Sequence, residues 1–130
     1  MNVLIIEDSL TTATILEAFV SACGHQPICV PNAWLASPAA VENSIDLVFM
    51  DIVLPGTDGY HLSARLRQQG LRAPIIAVTS HEDEPTKRRK YGIDGYMHKP
   101  VSMKQIKSLL EDYEAAAQPA AQSVNAADGA

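Results

Sequence analysis

The chain has 130 residues, 47% hydrophobic and 19% charged, which fits one globular domain with a single core. Ten Lys and Arg against fifteen Asp and Glu give a net charge of -5, and direct nucleic-acid binding, which needs a basic face, is not expected. No apolar run reaches the length of a membrane span, and Met1 leads into a strand pattern rather than a signal sequence, so a cytoplasmic location is expected.

Val3 to Ile6 is a short apolar run with polar flanks, the pattern of a strand covered on both faces. Ile15, Leu16, Phe19, Val20 and Cys23 then recur at helical spacing, with Gly24 as a stop. Pro27 to Val30 reads as a second strand, placed at an edge by its proline. Asn32 is positioned to cap a helix containing Trp34, Leu35, Ala39, Ala40 and Val41, but Pro38 interrupts it. The expectation is a late start, with Ser37 as cap and Pro38 at the first helical position; a kink at Pro38 is the alternative.

Asp46 to Met50 forms the third strand, and Asp58 to Gln69 a helix that buries Leu62 and Leu66 and closes at Gly70. Pro74 to Val78 is the fourth strand. The helix after it, PTKRRKY, is barely two turns long, with Tyr91 as its apolar anchor and KRRK as a solvated face. Ile93 to His98 holds the fifth strand. Ser102 and Gln105 have the spacing of a capping box, ahead of a stripe of Ile106, Leu109, Leu110 and Tyr113. The domain is expected to span residues 1–117, and the Ala-rich stretch 118–130 to be a disordered tail or truncated linker. Cys23 and Cys29 lie in no metal or redox spacing and read as reduced core thiols.

Five strands alternating with helices predict a doubly wound α/β domain with a parallel sheet and right-handed crossovers. With strand order 2-1-3-4-5, the chain reverses between the first and third strands, and a crevice opens at the carboxyl edge. The runs LIIED, VFMD, IIAVT and GYMHK deliver Glu7, Asp8, Asp51, Thr79 and Lys99 to that edge. Carboxylates about 4 Å apart repel by roughly 4 kcal/mol per pair at an effective dielectric near 20. Such a cluster holds protons or a cation, and Mg²⁺ suits it: a hard ion that accepts a few carboxylates and phosphate oxygens. Lys99 and Thr79 suit phosphate oxygens. Phosphoryl transfer to Asp51 would need little beyond positioning and charge neutralisation.

The acidic pair in IIED, MDIVLPGTDG around Asp51, AVTS with Thr79 and GYMHKP with Lys99 and Pro100 together resemble the receiver domain of two-component response regulators, chemotaxis regulators included. The likeness covers about residues 2–116. It implies a flavodoxin-like fold with helices on both faces of the sheet. It also implies that Asp51 accepts a phosphoryl group from a phosphohistidine on a sensor histidine kinase or a histidine phosphotransfer protein. Asp8 would bind Mg²⁺ directly, Glu7 would assist, and Val53 would lend its backbone carbonyl. Lys99 would pair with the phosphoryl group, Thr79 would swing towards it, and Tyr96 would be the aromatic switch that follows Thr79. The surface around the fourth helix, fifth strand and fifth helix would then change for a downstream protein.

Departures from the pattern lie beyond the acceptor. The segment from Thr79 to Gly92 is about two residues shorter than is common, and its helix carries Lys87, Arg88, Arg89 and Lys90 where small apolar residues are usual. Val53 and His81 stand where the family tunes the lifetime of the phosphoryl group. Other functions fit less well. A metal-dependent phosphohydrolase working through an aspartyl phosphate needs a second acid where Val53 stands. A nucleotide or flavin binder needs glycines after the first strand, where this chain has Ser9-Leu10-Thr11-Thr12. A phosphorelay intermediate, or a receiver excised from a hybrid kinase, remains compatible with the same residues. No enzymatic turnover is expected beyond self-phosphorylation and self-dephosphorylation.

Overall fold

Uninterrupted Val, Ile and Leu runs make central strands here because helices roof the sheet on both sides. The computed structural model describes residues 1–117, so the expected tail over 118–130 lies outside the described residues. The elements in order are β1 (Asn2–Ile6), α1 (Leu10–Ala22), β2 (Gln26–Val30), α2 (Ala33–Glu42), β3 (Leu47–Met50), β4 (Val53–Leu54), β5 (Thr57–Asp58), α3 (Gly59–Gln68), β6 (Ile75–Thr79), α4 (Pro85–Lys90), β7 (Gly95–His98) and α5 (Met103–Ala117). The main sheet is parallel with order β2-β1-β3-β6-β7. That is the expected 2-1-3-4-5 order once β4 and β5, a separate antiparallel hairpin, are set aside. None of the helices of the described residues is long and apolar enough to cross a membrane.

Successive strand residues point to opposite faces, so each central strand feeds two cores. Leu4, Ile6, Val48, Met50, Ile75 and Ala77 pack with Ala36 of α2 and Leu62 and Leu66 of α3. Val3, Ile5, Leu47, Phe49, Ile76 and Val78 pack with Leu16 and Val20 of α1 and Ile106 and Leu110 of α5. The α5 capping box forms as expected, with the Ser102 amide donating to Gln105 Oε1 at 2.8 Å and the Gln105 amide to Ser102 Oγ at 3.1 Å.

Three expectations need correction. α2 does not wait for Ser37: it starts at Ala33, and Asn32 Oδ1 accepts the Leu35 amide at 3.0 Å. Pro38 sits inside the helix on its exposed face, where water can satisfy the Trp34 carbonyl that the proline cannot reach. The helix buries small residues, Ala33, Ala36 and Ala39, and turns Trp34 and Val41 outwards. Cys29 is not a core thiol. It lies on the exposed side of edge strand β2, its Sγ 3.2 Å from a Glu17 carboxylate oxygen. The KRRK face is only partly solvated: Arg88 folds back to grip Asp83 through Nε at 2.7 Å and Nη2 at 3.0 Å. Lys87 Nζ rests 4.3 Å above the Tyr60 ring. α4 itself buries none of its residues, and Tyr91 at its end packs against the core as its expected anchor.

At the amino edge of the sheet, Arg67 closes the gap between α3, β6 and β7. Its Nη1 donates to the carbonyls of Leu71 at 3.0 Å and Ala73 at 2.7 Å. Its Nε and Nη2 donate to the Gly92 carbonyl, and Nη2 also to Asp94 Oδ2 at 2.8 Å. Asp94 Oδ2 in turn accepts the Ile75 amide. Gly92 lies in the left-handed region at φ +83°, and a Cβ there would stand 2.9 Å from Arg67 Cγ.

Candidate functional site

The ladder of the sheet continues just past its strands and fixes the polar residues at its carboxyl edge. The Glu7 amide donates to the Val30 carbonyl, the Asp51 amide to Ile6 and the Lys99 amide to Thr79. Glu7, Asp51 and Thr79 are buried, while Asp8 is exposed. Ser9 caps α1, its Oγ accepting the Thr12 amide at 3.4 Å, while Glu7 Oε1 accepts the Ser9 amide at 3.1 Å.

Carboxylate oxygens of Glu7, Asp8 and Asp51 all lie within 4.8 Å of one another. Lys99 Nζ donates to Asp51 Oδ2 at 2.8 Å and stands 2.8 Å from Glu7 Oε2. Burial works against the Lys99 ammonium, but its bonds to Asp51 and Glu7 outweigh this and hold it above the ordinary lysine value. Burial raises Glu7 above its ordinary value, more than Lys99 and the Ser9 amide lower it. Glu7 Oε2 is buried, and Lys99 Nζ at 2.8 Å is its neighbouring cation. The cluster holds three acids, and the one ammonium pairs with Glu7 and Asp51, which leaves two negative charges uncompensated. Three converging carboxylate oxygens and an excess of two negative charges fit a hard divalent cation.

The β4–β5 hairpin holds the acceptor side in place. The Val53 amide donates to Asp51 Oδ1 at 3.1 Å, and Gly56, at φ +76°, turns the chain after Pro55. Asp58 caps α3 by accepting the His61 amide at 2.9 Å. Gly59 is a site-shaping residue that the sequence reading missed. A Cβ there would lie 2.6 Å from the Asp51 carbonyl oxygen, so α3 can start against the acceptor strand only without a side chain. Its one sequence signal was a glycine directly after a helix-capping aspartate.

Thr79 and Tyr96 meet through a residue between them. Thr79 Oγ1 accepts the His81 amide at 3.3 Å, and the Tyr96 hydroxyl donates to the His81 carbonyl at 2.5 Å. Tyr96 is half-buried at the rim of the core, with its ring edge-on to His98.

The sequence matches the response regulator receiver domain family over residues 3–111. The chain belongs to that family. The receiver is 32% identical over 115 residues to the sensor histidine kinase RcsC of Escherichia coli K12, a match covering 87% of this chain and 12% of the kinase. It is 31% identical over 117 residues to the transcriptional regulatory protein YbdJ of Bacillus subtilis, covering 86% of this chain and 52% of that protein. It thus spans a small part of the kinase and about half of the regulator. Among solved structures, the receiver domain of the sensor histidine kinase PA1611 from Pseudomonas aeruginosa superposes with a TM-score of 0.77 at 27% identity, over 86% of this chain and 95% of that one. That structure holds a magnesium ion coordinated in its active-site cleft. A CheY-like receiver domain from Methylobacillus flagellatus gives a TM-score of 0.80 at 25% identity, over 87% and 98% of the two chains. The family and fold are those expected, and the receiver is a domain of two-component signalling.

Proposed function

We propose that the receiver takes a phosphoryl group onto Asp51 from a phosphohistidine on a sensor histidine kinase or histidine phosphotransfer protein, in the cytoplasm. The observation that carries this reading is the cluster of Glu7, Asp8 and Asp51, with Lys99 paired to Glu7 and Asp51. In the transfer, an Asp51 carboxylate oxygen forms a bond to phosphorus as the phosphorus–nitrogen bond breaks, and the departing imidazole keeps the electron pair and takes up a proton. Lys99 neutralises charge on the phosphoryl oxygens, and Thr79 offers them its hydroxyl. Glu7, Asp8, Asp51 and the Val53 carbonyl would hold Mg²⁺, which, when bound, offsets the charge of the phosphoryl group. With the phosphoryl group in place, Thr79 leaves the His81 amide. Since Tyr96 bonds the same residue, the change reaches β7 and the surface of α4 and α5.

A position inside a hybrid kinase or phosphorelay is supported by the kinase matches, in which the aligned region is about an eighth of the relative. The test is transfer of radiolabel from phosphohistidine donors to wild type and Asp51→Ala. Wild type is expected to take up label only with Mg²⁺, and Asp51→Ala none. Equal labelling of the two proteins would remove Asp51 as the acceptor.

A further inference from the structure

Trp34 is the chain's single tryptophan and is 72% exposed at the start of α2. It adds little to the core, because α2 meets the sheet through Ala33, Ala36 and Ala39. Its ring reaches instead towards the acceptor side: Cη2 lies 3.7 Å from where a Cβ on Gly56 would stand. Gly56 is the left-handed residue in the turn of the β4–β5 hairpin. Strands of two residues each are too short to keep their shape unaided. Yet this hairpin carries the Val53 amide that orients the Asp51 carboxylate.

We propose that Trp34 is a positioning residue for the acceptor site. The indole braces the Pro55–Gly56 turn, so that the hairpin presents the Val53 amide to Asp51 and the Val53 carbonyl to a divalent cation. The inference rests on the phosphoacceptor reading and adds to it a residue from outside the matching motifs.

The experiment uses the full chain and Mg²⁺ alone as the probe, with calorimetric titration beside Trp34 fluorescence. Wild type is expected to bind Mg²⁺ saturably, with an emission change that follows the calorimetric isotherm. Trp34→Ala is expected to bind about 10-fold more weakly, the scale seen when supporting residues of a metal site are removed. Trp34→Phe, which keeps an aromatic ring over the turn, is expected to bind nearly as well as wild type. Both variants are expected to melt near the wild-type temperature, whereas a purely structural role would lower melting and leave Mg²⁺ affinity alone. Equal Mg²⁺ affinity in wild type and Trp34→Ala overturns the inference while the phosphoacceptor reading stands. A wild type that binds no Mg²⁺ overturns that reading and, with it, this inference.

Discussion

The two edges of the sheet handle charge in opposite ways. At the amino edge, Arg67 spends its donors on the carbonyls of Leu71, Ala73 and Gly92 and on Asp94, which also takes the Ile75 amide. At the carboxyl edge, Glu7 and Asp51 share one ammonium, and the third acid of the cluster, Asp8, has no cation of its own among the described residues. The first edge is saturated and holds α3, β6 and β7 together. The second is short of positive charge, and that shortage is what a cation and a phosphoryl group would exploit. Stability and reactivity are thereby kept at opposite ends of the same strands.

The sharpest way to break this contrast is at Arg67. Removing the guanidinium in Arg67→Ala leaves several carbonyls and the Asp94 carboxylate without their donor, so a loss of about 3 kcal/mol is expected. Denaturant unfolding reads it, and Mg²⁺ affinity should be unchanged. A variant that unfolds with the wild type would mean that the amino edge does not carry the stability assigned to it.

The carboxyl edge should respond in the reverse sense. Mg²⁺ at 100 times its dissociation constant is expected to stabilise wild type by about 2.7 kcal/mol. Asp8→Asn should lose most of this gain, yet unfold no earlier than wild type without the ion, because Asp8 is exposed among like charges. Thermal melting with and without Mg²⁺ separates the two effects. A metal-free Asp8→Asn that melts well below wild type would show that the acid has a structural role here.

The smallest effect concerns pH. Burial raises Glu7 above its ordinary value of 4.5. Its contribution to metal-free stability is therefore fully present below 4.5 and is lost as pH rises through the raised folded value. Protons and Mg²⁺ compete for the same carboxylate, so Mg²⁺ affinity should rise as pH passes upward through that raised value. Glu7→Gln should flatten this dependence and be slightly more stable than metal-free wild type at neutral pH. Titrations across the weakly acidic range that show the same slope in both proteins would exclude Glu7 as the titrating group.

Much of the site was legible because each polar residue terminates an apolar run. In a parallel sheet the ends of such runs meet at one edge, so Glu7, Asp8, Asp51, Thr79 and Lys99 could be grouped without coordinates. The start of α2 was not legible. Pro38 argues for a late start in any local reading, and only the exposure of its face shows why the helix tolerates it. Cys29 was misplaced for a related reason: an edge strand turns one side away from the core, and its apolar pattern does not say which.

The alternation of strands and helices and the polar residues that end each apolar run were determined by sequence alone, because periodicity and run ends are local properties. The strand order came with the family resemblance, since strand pairing is not local. Tertiary structure alone decided what meets across long separations: Gly59 against the Asp51 carbonyl, Arg67 beneath Gly92, Trp34 over the turn at Gly56, and His81 between Thr79 and Tyr96. Such contacts depend on distances set by helix packing and hairpin geometry, and a linear pattern of apolar and polar residues carries no measure of those distances.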